Sequence, residues 1–166
     1  MSRTDTACRT ARRGAVAPGS AWALVTGAGS GIGRCYALRL AALGYNLLLA
    51  GNRQQPLEET ARAIRERTPE AGRRIVTLTT DLARLDAAEE LHDFTRREGI
   101  EIDVVINNAG IFSFCDILHT PPERIERIIL LHDVTNTQLC RLYATDMVRR
   151  GCRGHILNMS SYSLWM

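Results

Sequence analysis

Lysine is missing from this sequence. All 21 basic residues of the 166 are arginine, which excludes a P-loop, whose glycines lead into a lysine that reaches the phosphates. Organised cysteine is missing too. Cys8, Cys35, Cys115, Cys140 and Cys152 are odd in number and widely spaced. They form no C-x-x-C and no Cys/His cluster of zinc spacing, so no metal site is expected. They read as reduced, small apolar residues of a cytoplasmic protein. Long apolar runs are absent, so nothing here spans a bilayer. The first twenty residues hold no apolar stretch of the kind a secretory signal carries. Net charge is scarce outside that same stretch. Arg3, Arg9, Arg12 and Arg13 against Asp5 make residues 1–20 as positive as the whole chain, at +3, so residues 21–166 are neutral. A neutral body argues against a nucleic-acid surface. Residues 1–20 read as a disordered Arg-rich leader or as sequence translated from a misplaced start codon. A targeting peptide is the alternative, though no amphipathic stripe supports it.

Short apolar runs alternate with helical periodicity in the remainder, residues 21–166. Ala21–Val25 is a continuous apolar run that ends at glycines, as a buried parallel strand does. Ile32, Tyr36, Leu40 and Leu43 follow at helical spacing, with Gly44 as the stop. Tyr45–Ala50 is a second strand. The next helix has Pro56 in its first turn, Leu57, Ala61 and Ile64 as its apolar stripe, a Glu58–Arg62 pair, and Pro69 as its end. Arg74–Thr79 is a third strand, followed by a helix with Ala87, Leu91 and Phe94 inward and Gly99 as the stop. Ile102–Asn107 is a fourth strand. Pro121 and Pro122 open a helical region, broken near His132, that runs to Gly151 with Leu139, Leu142, Tyr143 and Met147 facing the core. His155–Met159 is a fifth strand. His92, His119 and His155 read as surface or loop residues. The alternation implies an α/β fold, a Rossmann-type doubly wound parallel sheet of order 3-2-1-4-5 with helices on both faces. Its ligand crevice would lie beyond the carboxyl ends of strands 1 and 4.

The chemistry is concentrated in Thr26-Gly27-Ala28-Gly29-Ser30-Gly31-Ile32-Gly33. A strand that enters glycines and then a helix presents unpaired N–H groups and the positive end of a helix dipole, which bind phosphate. Glycine lets the backbone approach a pyrophosphate. Where such a crevice holds a dinucleotide, a carboxylate at the end of strand 2 holds a ribose 2′-OH, and an arginine there accommodates a 2′-phosphate. The turn reads Gly51-Asn52-Arg53-Gln54-Gln55, with no carboxylate before Glu58. This favours a 2′-phosphorylated dinucleotide, with Arg53 and Asn52 at the phosphate. The alternative for Arg53 is a solvated arginine on a turn.

The spacing T-G-x-x-x-G-I-G resembles the hallmark of the short-chain dehydrogenase/reductase family, classical type. Three further segments carry the resemblance across residues 21–166: Asp81-Leu82 after strand 3, Asn107-Asn108-Ala109-Gly110 after strand 4, and Asn158-Met159-Ser160-Ser161 at strand 5. The resemblance implies an NAD(P)-binding Rossmann domain, with NADP favoured over NAD by the turn at Asn52-Arg53, in which Gly27, Gly29, Ser30, Gly31, Ile32 and Gly33 wrap the pyrophosphate and riboses. Asp81, with Leu82, would contact the adenine; Asp81 could alternatively cap the helix that follows. Asn107, Ala109 and Gly110 would line the adenosine and nicotinamide side. Ser161 matches the catalytic serine. The family's helix asparagine, which supports a water relay, falls on His132; a plain polar helix residue is the alternative reading there.

The resemblance also implies what the chain does not contain. The family's proton donor is a tyrosine about a dozen residues beyond its serine, paired with a lysine in Y-x-x-x-K. Tyr162 is adjacent to Ser161, the residue four beyond it is Met166, and there is no lysine. The chain is therefore expected to be truncated before that motif. In full-length form the implied activity is NADPH-dependent reduction of a ketone or ketoacyl group, with a small-molecule carbonyl or alcohol as substrate. Alone, the chain is expected to bind cofactor without turnover; a non-catalytic dinucleotide-binding module or a non-functional fragment are the alternatives. Without the family's later elements strand 5 would be a sheet edge, so marginal stability or a homo-oligomer is expected.

Overall fold

The computed structural model describes residues 20–68, 72–113 and 115–161. The expectation for residues 1–20 therefore lies outside the described residues apart from Ser20, as do those on Cys8, Pro69, Tyr162 and Met166. The strands are β1 (Trp22–Thr26), β2 (Asn46–Gly51), β3 (Ile75–Thr79), β4 (Ile102–Asn107) and β5 (His155–Asn158). All pair in parallel, in the order β3-β2-β1-β4-β5. The helices are α1 (Gly31–Ala42), α2 (Gln54–Arg67), α3 (Ala87–Arg97), α4 (Pro122–Ile129) and α5 (Asn136–Arg150), with a π-helical turn, Leu130–Thr135, joining the last two. None of the described helices is long and apolar enough to cross a membrane.

Helices pack on both faces of the sheet, and the side chains of β1 alternate between them. Trp22 and Leu24 pack with Leu91 of α3 and with Leu139, Tyr143 and Met147 of α5. Ala23 and Val25 pack with Ala37 and Leu40 of α1 and with Leu57, Ala61 and Ile64 of α2. One extra residue enters β4. Trp22 pairs with Ile102 but Ala23 pairs with Val104, so Asp103 bulges out of the ladder. Its carboxylate replaces the missing acceptor, taking the Trp22 N–H at 3.0 Å through Oδ2. Through Oδ1 it accepts from Arg150 at the end of α5, also at 3.0 Å. The bulge thus sets the face parity of β4 and anchors a helix.

Several local expectations need correction. In α1 the buried residues are Gly33, Ala37, Leu40 and Ala41. Ile32, and Leu43 just past the helix, are each 58% exposed, because Gly33, Ala37 and Ala41 share the buried face with Leu40. Glu58 accepts from Gln54 rather than pairing with Arg62. The helical region does not break near His132 but absorbs one wide turn there. His92 is buried, not on the surface. Its Nε2 lies 2.6 Å from Asp146 Oδ2 on α5, and its ring meets that of Tyr143 edge-on at 5.3 Å. The expected stops hold: α1, α3 and α5 end ahead of Gly44, Gly99 and Gly151, each at positive φ.

Tyr143 is the largest fully buried side chain among the described residues, and burial pushes its phenol well above the usual range. Its hydroxyl lies 3.3 Å from Thr95 Oγ1, whose own proton goes to the His92 carbonyl at 2.7 Å. Tyr143→Phe should cost about 1 kcal/mol by removing that one bond. Tyr143→Ala should cost about 3–5 kcal/mol by opening a cavity between α3, α5 and the sheet. Urea denaturation of the two variants measures both.

Candidate functional site

A cleft of about 500 Å³ lies over the carboxyl ends of β1 to β4. Its floor is built by two loops held together through Thr26, the last residue of β1. Thr26 Oγ1 donates to the Ile106 carbonyl at 3.3 Å. The same oxygen accepts the N–H groups of Asn108 at 2.9 Å and Ala109 at 3.0 Å. The Asn108 side chain returns the tie, donating to the Thr26 carbonyl at 3.0 Å. The N-N-A-G loop is therefore tied to the glycine loop by buried and half-buried hydrogen bonds.

Gly33 allows α1 to begin against this junction. A Cβ there would sit 2.3 Å from the Gly27 carbonyl oxygen and 2.5 Å from Asn108 Nδ2. Gly31 differs: its φ is +52°, and a Cβ would meet nothing within 4 Å. It marks the open mouth of the site. The first bond of α1 runs from the Arg34 N–H to the Ser30 carbonyl. The N–H groups of Gly31, Ile32 and Gly33 precede it and have no acceptor within the helix. Ser30 at the N-cap makes no side-chain capping bond. An anion at this helix end would meet three amides, a hydroxyl and the positive end of the dipole.

On the other side of the cleft, the Thr80 N–H donates to the Gly51 carbonyl at 2.8 Å and brings the ends of β2 and β3 side by side. Asn52 and Arg53 line the cleft from β2, and Asp81, Leu82 and Ala83 from β3. Asp81 is not the N-cap of α3, a position that falls on Asp86. It accepts the Ala83 N–H at 3.0 Å in a local turn. It also takes a bidentate pair from Arg127 of α4, at 2.9 and 3.1 Å. That guanidinium, with help from the turn bond, holds the Asp81 carboxyl below its ordinary range against a smaller effect of burial.

The π-helical turn closes the remaining wall. Thr135 Oγ1 donates to the Leu82 carbonyl at 2.8 Å. His132 Nε2 lies 3.2 Å from the Ile111 nitrogen and 3.0 Å from its oxygen. Its ring also packs on Gly110, where a Cβ would come within 2.9 Å of His132 Cε1. One wide turn thus reaches both loops, as π-turns at ligand sites commonly do.

Of the sequence-predicted residues, the cleft brings together Gly27, Ser30, Gly31, Ile32, Asn52, Arg53, Asp81, Leu82, Ala109 and Gly110. Gly29 lies behind it, against Pro56. Asn107 is buried rather than lining the cleft. Its Nδ2 donates to Asn158 at 2.8 Å and ties β4 to β5, while its Oδ1 is buried without a partner. Ser161 is exposed beyond the end of β5. Sequence reasoning missed Asn108 and Arg127. Asn108 stood inside a motif already singled out, whereas Arg127 lies 46 residues from its partner and carried no local signal.

Residues 21–164 match the family model described as short chain dehydrogenase. The chain belongs to this family. It is 34% identical over 149 residues to a very-long-chain 3-oxoacyl-CoA reductase of Pyrenophora tritici-repentis, covering 87% of this chain and 42% of that protein. It therefore spans about two fifths of the length of the curated relative it matches. Among solved structures it resembles a short-chain dehydrogenase of Sphingobium yanoikuyae in complex with NADPH, at TM-score 0.75 and 32% identity over 86% of this chain and 54% of that one. It likewise resembles a bulky-bulky ketone specific alcohol dehydrogenase of Comamonas testosteroni, at TM-score 0.77 and 29% identity, covering 87% and 56%. The 3-2-1-4-5 parallel sheet with flanking helices is the fold that the described residues share with these structures.

Gly33→Ala should lower stability by about 1–3 kcal/mol, because its new methyl must displace backbone at the β1–β4 junction. A thermal melt reads this, and an unchanged melting temperature would contradict the close approach.

Proposed function

We propose that this chain is the cofactor-binding part of an NADPH-dependent oxidoreductase that acts on a ketone or ketoacyl carbonyl. The observation that carries the reading is the cleft itself. It has the open N-terminus of α1 in its floor, and Arg53, with no carboxylate beside it on the turn, at the end of β2. A pyrophosphate fits the amides of Gly31, Ile32 and Gly33 and the Ser30 hydroxyl. A 2′-phosphate fits Arg53 and Asn52, and an adenine amino group would find an acceptor in Asp81. Ala109 and Gly110 would line the nicotinamide side, the group that supplies or accepts hydride. The 3-oxoacyl-CoA reductase and the ketone-specific dehydrogenase among its relatives favour a carbonyl substrate. The free Cys35, Cys115, Cys140 and Cys152 agree with work in the reducing cytoplasm.

Two residues have narrower roles in this reading. Ser161 would hold the substrate carbonyl by hydrogen bonding. His132 acts through the Ile111 backbone, which engages its Nε2, and so shapes the N-A-G loop rather than presenting that nitrogen to a water. These 166 residues contain no lysine and no tyrosine at the family's spacing beyond Ser161. This chain by itself would therefore bind cofactor and leave the developing alkoxide without its proton donor.

Titration with NADPH and NADH, followed by cofactor fluorescence, tests the reading. NADPH should bind more tightly, and tighter NADH would overturn the assignment of Arg53. An assay of this chain with ketone substrates should give no turnover; measurable reduction would refute the account of the missing acid.

A further inference from the structure

We infer that Arg127 is a second determinant of cofactor specificity: by pairing with Asp81 it makes the adenosine end of the cleft positive and favours a 2′-phosphorylated dinucleotide. This rests on the dinucleotide reading of the cleft and deepens it.

The argument begins with charge. The ionisable side chains that line the cleft, among the described residues, are Arg53, Asp81 and Arg127. With Arg127 the lining carries one net positive charge; without it, none. Placement comes next. Gly51 pairs with Thr79, and Thr80 bonds back to Gly51, so the ends of β2 and β3 lie one strand spacing apart, roughly 4.8 Å. Arg53 and Asp81 follow these two ends and flank the same space. A ribose 2′ substituent sits at the end of the second strand in a sheet of this topology. An uncompensated Asp81 carboxylate would therefore stand within a screening length, roughly 8–10 Å, of a 2′-phosphate and repel it.

The Arg127 fork cancels that charge. It engages both Asp81 oxygens, and its hydrogen bond is the largest influence keeping Asp81 ionised. The pair is an inefficient stabiliser of the fold, since its side chains are 42% and 37% exposed and ion pairs in water contribute little. Its effect falls on what enters the cleft. The adenine and pyrophosphate are common to both dinucleotides, so the charge difference is felt chiefly by the one that carries a 2′-phosphate.

The test is the ratio of Kd for NADH to Kd for NADPH in this chain and four variants. Arg127→Gln should lower the ratio at least threefold, mainly through weaker NADPH binding. Arg127→Lys keeps the charge and should leave the ratio within twofold. Asp81→Asn should raise it, and Asp81→Asn combined with Arg127→Gln should restore it toward the parent value. Loss of an adenine contact at Asp81 weakens both cofactors alike and leaves the ratio clean. A ratio unmoved by Arg127→Gln, or an equal loss for both cofactors that Asp81→Asn does not reverse, would overturn the assignment of Arg127 while leaving the cleft intact. Should Arg127→Gln fail to fold, Asp81→Asn alone decides: an unchanged or lowered ratio overturns the proposal. A parent chain that binds neither dinucleotide would overturn the reading of the cleft and this inference with it.

Discussion

Everything in the cleft depends on how closely three backbone segments approach one another at the top of β1. Thr26 accepts two amides from the loop after β4, and Asn108 donates back to the end of β1. Gly33 brings the first turn of α1 against both, with no room for a methyl group. A doubly wound sheet leaves a crevice where its strand order reverses. The Thr26–Asn108 exchange fixes that crevice at one width and aims the open amides of α1 into it. Without this junction the glycine loop would be a turn at the end of a strand.

The far wall is built from the helical region, whose irregularity has a use. A continuous α-helix advances its side chains by a fixed rotation. The π-helical turn at Leu130–Thr135 changes that phase where Thr135 meets the Leu82 carbonyl and His132 meets Ile111. One turn earlier, α4 sends Arg127 to Asp81. Three side chains from adjoining turns thus hold both cleft loops, one by a neutral hydrogen bond, one by an imidazole and one by an ion pair. The opposite end of this region is fixed by Arg150 on the Asp103 bulge and by the Tyr143–His92–Asp146 contacts. The wall is therefore braced from both the sheet and α3.

The strand order was legible because buried parallel strands are short apolar runs and the glycines punctuate them. The glycine loop, Asp81 and the N-N-A-G segment were legible because each follows a strand end, where the topology places ligands. What could not be read depends on contacts distant in sequence. His92 looked like a surface histidine until α5 brought Asp146 to it. Ile32 fell on the apparent apolar stripe of α1, yet glycine and alanine took the buried face. Asn107 belongs to the motif but serves β5 rather than the cleft, since alternation along β4 turns it inward. Arg127 had no signal at all, because a salt bridge between α4 and the β3–α3 loop leaves no periodicity.

The most direct test of the central claim is an amide NMR titration of this chain with NADPH. The account predicts that the largest shifts fall on the N–H groups of Gly31, Ile32 and Gly33, with further shifts at Asp81, Leu82, Ala109 and Gly110. Saturable binding that leaves the amides of Gly31, Ile32 and Gly33 unmoved would contradict it.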